Sequence, residues 1–491
     1  MNMKRAKTWR IILAVVALLM ACALVLTGCA ANEEGAAVYV LSIQQTASGE
    51  TGSTFTVTYS DGSTSEFTVE NGSDGKDGAA ITAADLYEEY KTIYGDDLTY
   101  AEFLEKYLTL TEGEDESAPI SEMLLSSARV YAEFRTTEYA SSGWGGIGVR
   151  PVNTISYSAG AGVIYQMDDD YTYFVTNYHV VYNENANADN GSQFGRKIVV
   201  YLYGSQGSPT NSGNTDEDGY EILEYGTAAI ECEYVGGAAS LDIAVLRAET
   251  QDVLAVNSAA KAVTLADGYA VGEKAIAVGN PEDEGLSVTE GIVSVDSEYI
   301  TLQTDGTARS HRAMRIDAAL YEGNSGGGLF NAQGELIGLT NAGDGTNQNV
   351  NYAIPISVVK GAADNIILYD QDGDSATSGV YRPTLGVTVT IQSSQYVYDE
   401  SSQSGRIVET IAVSEVTSGS IAEQMGLTAG DILQSFSVNG TQYDISRSFE
   451  VNDLLLTVRS GDAIAFTVER DGTSVQTQSY TMEFSDLSAV A

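Results

Sequence analysis

The chain has 491 residues, which allows two or three domains, and 43% of them are apolar, which suits a globular protein rather than a disordered one. It carries 24 basic against 68 acidic residues, a formal charge of −44. That excess argues against nucleic acid as a partner, since no phosphate-neutralising surface is available, and against adhesion to anionic lipid through charge.

Lys4, Arg5, Lys7 and Arg10 precede an uncharged apolar run, Ile11 to Leu26, which Leu26-Thr27-Gly28-Cys29 closes. A basic start, an apolar stretch and small residues before the cut are the signature of an export signal, here residues 1–28. The last four residues resemble a bacterial lipobox. That resemblance implies that Cys29 becomes the lipidated first residue and tethers the chain to the membrane, facing outside the cytoplasm. An uncleaved span is the alternative. Every acidic residue lies beyond Gly28, so removing the leader leaves 20 basic against 68 acidic residues, a charge of −48. With Cys22 in the leader, Cys232 is the one cysteine left to a folded domain, so no internal disulfide is available. Ala228-Ala229-Ile230-Glu231-Cys232 reads as a strand with a small buried thiol.

Residues 29–118 form an N-terminal hairpin/helical module and linker. Residues 30–38 read as a tether. Thr54 to Tyr59 and Ser65 to Val69 alternate like strands around Asp61-Gly62, a hairpin signal. Gly72, Gly75 and Gly78 mark a loop. Residues 83–94 and 101–110 carry apolar faces at helical spacing, with Thr99 as a cap for the second. From about Ile120 short β-rich runs alternate with Gly, Asn and Asp, the pattern of closed antiparallel β architecture, and helix signals are few. Asn183 to Gly219 is polar and Gly-rich and is expected as a long surface loop. Asp370 to Asp374 hints at a calcium loop, but the twelfth place is Tyr381, so a solvated linker is expected instead. Ser420 to Met425 is the one helical stretch expected after residue 383.

Gly323-Asn324-Ser325-Gly326-Gly327 is the most informative segment. A serine hydroxyl attacks only if a base takes its proton and donors meet the oxyanion, and flanking glycines let backbone amides converge there. Of the two histidines, His179 follows an apolar strand, Phe174-Val175-Thr176, at a polar turn, whereas His311 lies in the polar, basic stretch Ala308 to Arg312 and is expected as a solvated loop residue. Asp242 opens the apolar run Ile243 to Leu246, where a carboxylate needs donors, and a histidine ring N–H is one. The order His, Asp, Ser matches the chymotrypsin-like proteases.

Taken together, Ala159 to Ile164, Thr176-Asn177-Tyr178-His179-Val180-Val181, Leu241 to Leu246, Val278-Gly279-Asn280-Pro281, Thr289 to Ser294, Asp317-Ala318-Ala319, Gly323 to Leu329 and Asn351 to Pro355 resemble the HtrA/Deg family of serine proteases over about residues 120–491. The resemblance implies a mostly β chain. A chymotrypsin-like double β-barrel protease domain (119–372) and a linker (373–382) would be followed by a C-terminal PDZ domain (383–491). It implies catalysis by His179, Asp242 and Ser325, an oxyanion hole from Gly323 and Ser325 with Asn324 nearby, and no metal or cofactor. It places Ala319, Leu320 and Asn341 at a specificity pocket for small or medium aliphatic residues, with extended substrate paired along the strand Leu339 to Asn341. Tyr178 is bulkier than usual in the family and the loop after His179 is longer. Arg382-Pro383-Thr384-Leu385-Gly386-Val387 resembles a PDZ carboxylate loop, which implies capture of peptide C-termini through Thr384, Leu385, Gly386 and Val387. The expected partners are polypeptide substrates, peptide C-termini and the membrane through Cys29. A homotrimer is an expectation from the family alone. The reading is a tethered serine endopeptidase of the cell envelope that cleaves unfolded or exported proteins. Its alternative is a catalytically dormant peptide-binding chaperone or scaffold at the cell surface.

Overall fold

The computed structural model describes residues 40–48, 52–60, 62–70, 117–141, 149–187, 193–205, 207–344, 347–371, 379–400 and 404–490, with positions 87, 91 and 99. The chain forms two units, residues 1–112 and 113–491. In the first, β1 (Val40–Ser48) pairs with β2 (Gly52–Tyr59), which pairs with β3 (Thr64–Glu70), all antiparallel. The β2–β3 hairpin stands where the alternation placed it, and the Gly62 N–H closes its turn on Tyr59 O at 3.0 Å. β1 is an added strand. The leader, Cys29, Asp61, Gly72 to Gly78 and the helices expected at 83–94 and 101–110 lie outside the described residues, apart from those single positions.

The second unit opens with α1 (Ser117–Leu125). A closed barrel follows, built from β4 (Ser127–Ser141), β5 (Val149–Met167), β6 (Tyr171–Thr176), β7 (Lys197–Leu202), β10 (Ile230–Ala238) and β11 (Ile243–Glu249), with a side hairpin of β8 (Thr210–Thr215) and β9 (Glu221–Glu224). The short helix α2 (Tyr178–Val181) follows β6, and α3 (Thr250–Val256) follows β11. β6, β7 and β11 are buried along almost their whole length because both faces are covered. β10 alternates, with Ile230 and Cys232 buried between exposed Glu231 and Glu233. The expected surface loop at 183–219 is corrected here. It contains β7, which closes the barrel between β4 and β10, because Ile198 to Leu202 is an apolar run submerged in a polar window.

In the second barrel β13 (Lys274–Gly279), β14 (Ser287–Gln303), β15 (Ala308–Ile316), β18 (Asn347–Pro355), β17 (Glu335–Asp344) and β16 (Gly328–Phe330) close on themselves through the β17–β18 pairing, while β12 (Thr264–Leu265) lies parallel on β17. The fold class is thus mostly β with two closed barrels, as in chymotrypsin-like proteases. Each interior is apolar, and Ile243, Val245, Val278 and Leu339 share one continuous core.

That core continues into α4 (Ile356–Gln371), where Val359, Ala362, Ala363 and Ile366 recur at helical spacing and are fully buried. Asp370, expected in a solvated linker, sits instead in the last turn of α4 and accepts from Arg247 at 2.6 Å. Residues 380–382, also expected in a linker, belong to a strand. The C-terminal sheet runs β20 (Val387–Asp399), β21 (Ser404–Val416), β22 (Ile432–Val438), β24 (Ala463–Arg470), β25 (Thr473–Gln476). Added to it are β23 (Thr441–Asp444) and β26 (Tyr480–Thr481), while β19 (Val380–Pro383) pairs with β27 (Leu487–Val490). Two short helices, α5 (Ile421–Met425) and α6 (Glu450–Leu455), cover it. α5 begins where the sequence placed it, with Ser420 Oγ accepting from Glu423 N–H at 3.3 Å. No helix among the described residues is long and apolar enough to cross a membrane.

α4 also carries the contact between the barrels and this sheet. Buried Asn365 donates to Tyr381 O at 2.7 Å and to Leu456 O at 3.3 Å, and accepts from Tyr381 N–H at 3.1 Å. Beside it, Arg312 on β15 pairs with Asp453 on α6, their side chains 8% and 10% exposed, and Ser357 donates to the same carboxylate at 2.6 Å. Removing one partner leaves a buried charge uncompensated. Asp453→Asn is therefore expected to lower stability by about 3 kcal/mol, read as a shift in the urea-unfolding midpoint. An unchanged midpoint would show that the domains do not depend on this contact.

Candidate active site

Three segments converge between the barrels. β6 leads into Asn177 and the single turn α2, which carries His179. A tight turn between β10 and β11 carries Asp242 at φ +54, a left-handed conformation that a non-glycine residue holds only when fixed by its surroundings. Asn177 Nδ2 fixes it by donating to Asp242 O at 2.9 Å. The Asp242 side chain is fully buried. Its lone pairs are met by the His179 main-chain N–H to Oδ1 at 3.0 Å, His179 Nδ1 to Oδ2 at 2.7 Å and Asn341 Nδ2 to Oδ2 at 2.8 Å.

A carboxylate accepts and does not donate, so the proton lies on His179 Nδ1 and the neutral ring keeps a lone pair on Nε2. Burial pushes the ring's pKa down, but the charge of Asp242 and the hydrogen bond to it outweigh burial and hold it above 6.5.

Ser325 lies on the loop from β15 to β16. Gly323 has φ +93, and a Cβ there would fall 2.1 Å from Asn280 O. At Gly326, φ +83, a Cβ would fall 2.4 Å from Ala161 O of the first barrel. The glycines are thus demanded by backbone contact. Ala161 N–H donates to Ser325 O at 2.8 Å, Gly326 N–H to Thr340 O at 2.9 Å and Thr340 N–H to Gly327 O at 2.8 Å. Among the described residues the amides of Gly323 and Ser325 have no acceptor. The Ser325 hydroxyl donates to Asn341 O at 3.0 Å. His179 and Asp242 are therefore joined directly, and Ser325 is joined to them through Asn341. The Asn324 side chain packs on Gly279, where a Cβ would fall 2.4 Å from its Oδ1.

Asn341, expected at the specificity pocket and along a substrate strand, also links Ser325 to Asp242. A second group that the sequence did not mark holds the Ser325 loop from behind. Tyr131, buried on β4, donates its hydroxyl to Asp283 in the turn after β13. Burial first, and Asp283 second, push that phenol's pKa up. Glu282 and Asp283 sit at φ +53 and +59, which costs of order 1 kcal/mol or more each. Glu282 N–H donates to Glu322 O at 2.7 Å. Because a trans peptide sets its C=O and N–H on opposite sides, the Gly323 N–H points away from that turn.

Ala319 and Leu320 are half-buried on the strand exit before Gly323, with Ala319 O accepting from Thr289 Oγ1 at 2.8 Å. His311 is corrected: it is buried in β15 opposite Ile300, not in a solvated loop, and both ring nitrogens lack partners. Burial lowers its pKa. Its polar neighbours Ser310 and Arg312 lie on the opposite face of the strand, Arg312 against Asp453, and they gave the stretch its polar composition.

Residues 160–339 match the trypsin-like peptidase domain. The chain is 29% identical over 330 residues to the serine protease Do-like HtrA of Lactococcus lactis subsp. lactis (strain IL1403), covering 65% of this chain and 69% of that one. It is 31% identical over 322 residues to the serine protease Do-like HtrB of Bacillus subtilis (strain 168), covering 64% and 59%. The periplasmic serine endoprotease DegP of Escherichia coli (strain K12) is 29% identical over 351 residues, covering 70% and 60%. Among solved structures, the HtrA-type protease AlgW with decapeptide is 23% identical with a TM-score of 0.42, covering 74% of this chain and 98% of that one. The chain thus carries a trypsin-like peptidase domain, and the relatives it resembles are named HtrA/DegP-type serine proteases.

Proposed function

We propose that Ser325, His179 and Asp242 are the catalytic triad of an endopeptidase acting on polypeptides outside the cytoplasm. The observation that carries this is the 2.7 Å contact from His179 Nδ1 to buried Asp242, which leaves the Nε2 lone pair free to act as a base. At rest the Ser325 proton is held by Asn341 O. A turn about its side-chain bond hands that proton to Nε2 as the oxygen attacks the peptide carbonyl. The unpartnered amides of Gly323 and Ser325 are the donors for the resulting oxyanion, with Asn324 bracing the loop between them. His179 then returns the proton to the leaving amine, and Asp242 stabilises the charged ring meanwhile. Ala319 and Leu320 favour small or medium aliphatic residues before the cut. DegP of E. coli is named a periplasmic endoprotease, which supports an envelope location, with anchoring through Cys29.

The C-terminal domain is proposed as a PDZ domain that grips peptide C-termini. Leu385 O and Gly386 O are taken by Ala422 N–H at 2.9 Å and Thr417 N–H at 2.8 Å. The amides of Leu385 and Gly386 have no acceptor among the described residues and suit a terminal carboxylate. From Val387 onward β20 is the edge of its sheet, open to an added strand, with Thr384 exposed at the entrance.

Ser325→Ala is expected to abolish casein cleavage and fluorophosphonate labelling with folding intact; retained cleavage would overturn the triad. A wild-type chain that neither labels nor cleaves would favour the dormant scaffold. Since only the neutral ring accepts a proton, activity rises as His179 deprotonates, and the acid limb of the kcat/KM profile is expected above pH 6.5. Asp242→Asn removes the opposing charge and leaves burial, so this limb moves below 6.5 while kcat falls by about 10⁴; an unmoved limb would exclude Asp242 as its cause. Tyr131→Phe frees the strained turn behind Gly323, and kcat is expected to fall roughly tenfold with KM little changed. A change confined to KM would place Tyr131 outside the oxyanion support.

A further inference from the structure

Beside His179 opens a cavity of about 330 Å³. One wall is the loop after α2, the segment whose length departs from the family pattern. It is held in place rather than merely solvated. Asn187 N–H donates to Arg135 O at 2.7 Å, and its Nδ2 to Thr137 Oγ1 at 2.9 Å and Tyr220 OH at 2.7 Å. Asn183 N–H donates to Gln193 O at 3.1 Å, and Tyr182 OH to Gln193 Oε1 at 2.7 Å. The facing wall is the β14–β15 turn of the second barrel, pinned by Thr304 Oγ1 to Ala239 O at 2.7 Å. Glu184 reaches across. Its carboxylate rests on Gly306, where a Cβ would fall 1.6 Å from Oε2.

The lining is otherwise neutral: Tyr157, Tyr182, Asn183, Gln303 and small hydroxyls, with His179 at one side. Glu184 is the one carboxylate among the lining residues. Nearby Asp305 is already neutralised by Arg309 at 2.6 Å, while Glu184 has no ion-pair partner among the described residues. A carboxylate without an ion-pair partner in a cavity that two tyrosines also line is a receptor for a cation, by charge and by aromatic surface. The net charge of −44 draws the same sign of ligand toward it.

We propose that this cavity is a substrate subsite that takes the side chain of a Lys or Arg flanking the scissile bond, with Glu184 setting the preference. It rests on the triad reading, since the cavity borders the cut only if His179 serves Ser325. The test uses the full chain and peptides with a fixed aliphatic residue before the cut. Each position flanking the cut is varied among Lys, Arg, norleucine, Gln and Glu, and cleavage is read as ratios of kcat/KM. Wild type is expected to prefer Lys and Arg over norleucine at one flanking position, and to lose part of that preference as salt is raised. Glu184→Gln is expected to cut that ratio about twofold to fivefold, and Glu184→Lys to reverse it in favour of Glu. Cleavage with no cationic preference at any flanking position, or with the same ratio in Glu184→Gln, overturns the subsite and leaves the triad standing. Absence of all cleavage and labelling in wild type removes the triad reading and the subsite with it.

Discussion

A carboxylate with no solvent contact sets the terms for the centre of this molecule. Asp242 is fully buried, and a lone carboxylate there would be costly, so three donors must be brought to it from separate parts of the chain. Two come from His179 at the end of β6 and one from Asn341 on β17 of the other barrel. The requirement is mutual. His179 gains a fixed tautomer and orientation, Asn341 gains a partner for its amide, and the barrels are held in register where their loops meet. The Ser325 loop is stitched into the same arrangement from both sides, through Ala161 of the first barrel and Thr340 of the second. The positive φ values at Asp242, Glu282 and Asp283 cluster around this point, where local strain is sustained by the contacts surrounding it.

Much of this was legible before any coordinates, for identifiable reasons. His179 and Ser325 sit in short segments with a recognisable local pattern, and Gly323 and Gly326 are set by backbone approach, so local sequence carries them. The β2–β3 hairpin and the cap at Ser420 are also local. What escaped depends on distance along the chain. Asn341 Nδ2 reaches a residue 99 positions away, and Tyr131 reaches one 152 positions away; neither has a motif around it. β7 was hidden because a five-residue apolar run was averaged into a polar window. α4 is hidden because its apolar positions follow directly on the last β-rich run, with no break between β18 and the helix. His311 was misplaced because charged neighbours on the opposite face of β15 gave the stretch a polar character.

The attachment of the C-terminal sheet adds polar contacts to apolar burial. The barrels share an apolar core that Val380 and Leu456 also join, and the sheet is fixed further through Asn365, the Arg312–Asp453 pair and Arg447, which contacts both Asp296 and Glu409. Polar contacts of this kind are directional, so they define one orientation more sharply than apolar burial does, at the cost of desolvating each charge. α4 contributes to both regimes. Its buried face extends the barrel core, and Asn365 on the same helix anchors the strand that follows.

Cys232 lies inside the first barrel, its thiol pushed by burial away from the reactive thiolate form, and no other sulfhydryl stands in the described residues. The consequence concerns biogenesis. A polypeptide that crosses into an oxidising compartment ordinarily depends on oxidoreductases to form and reshuffle its cross-links. Among the described residues of this body there is no such link to make. Its maturation is thereby uncoupled from the thiol–disulfide poise around it, and stress that disables oxidative folding of its neighbours would leave its own assembly untouched.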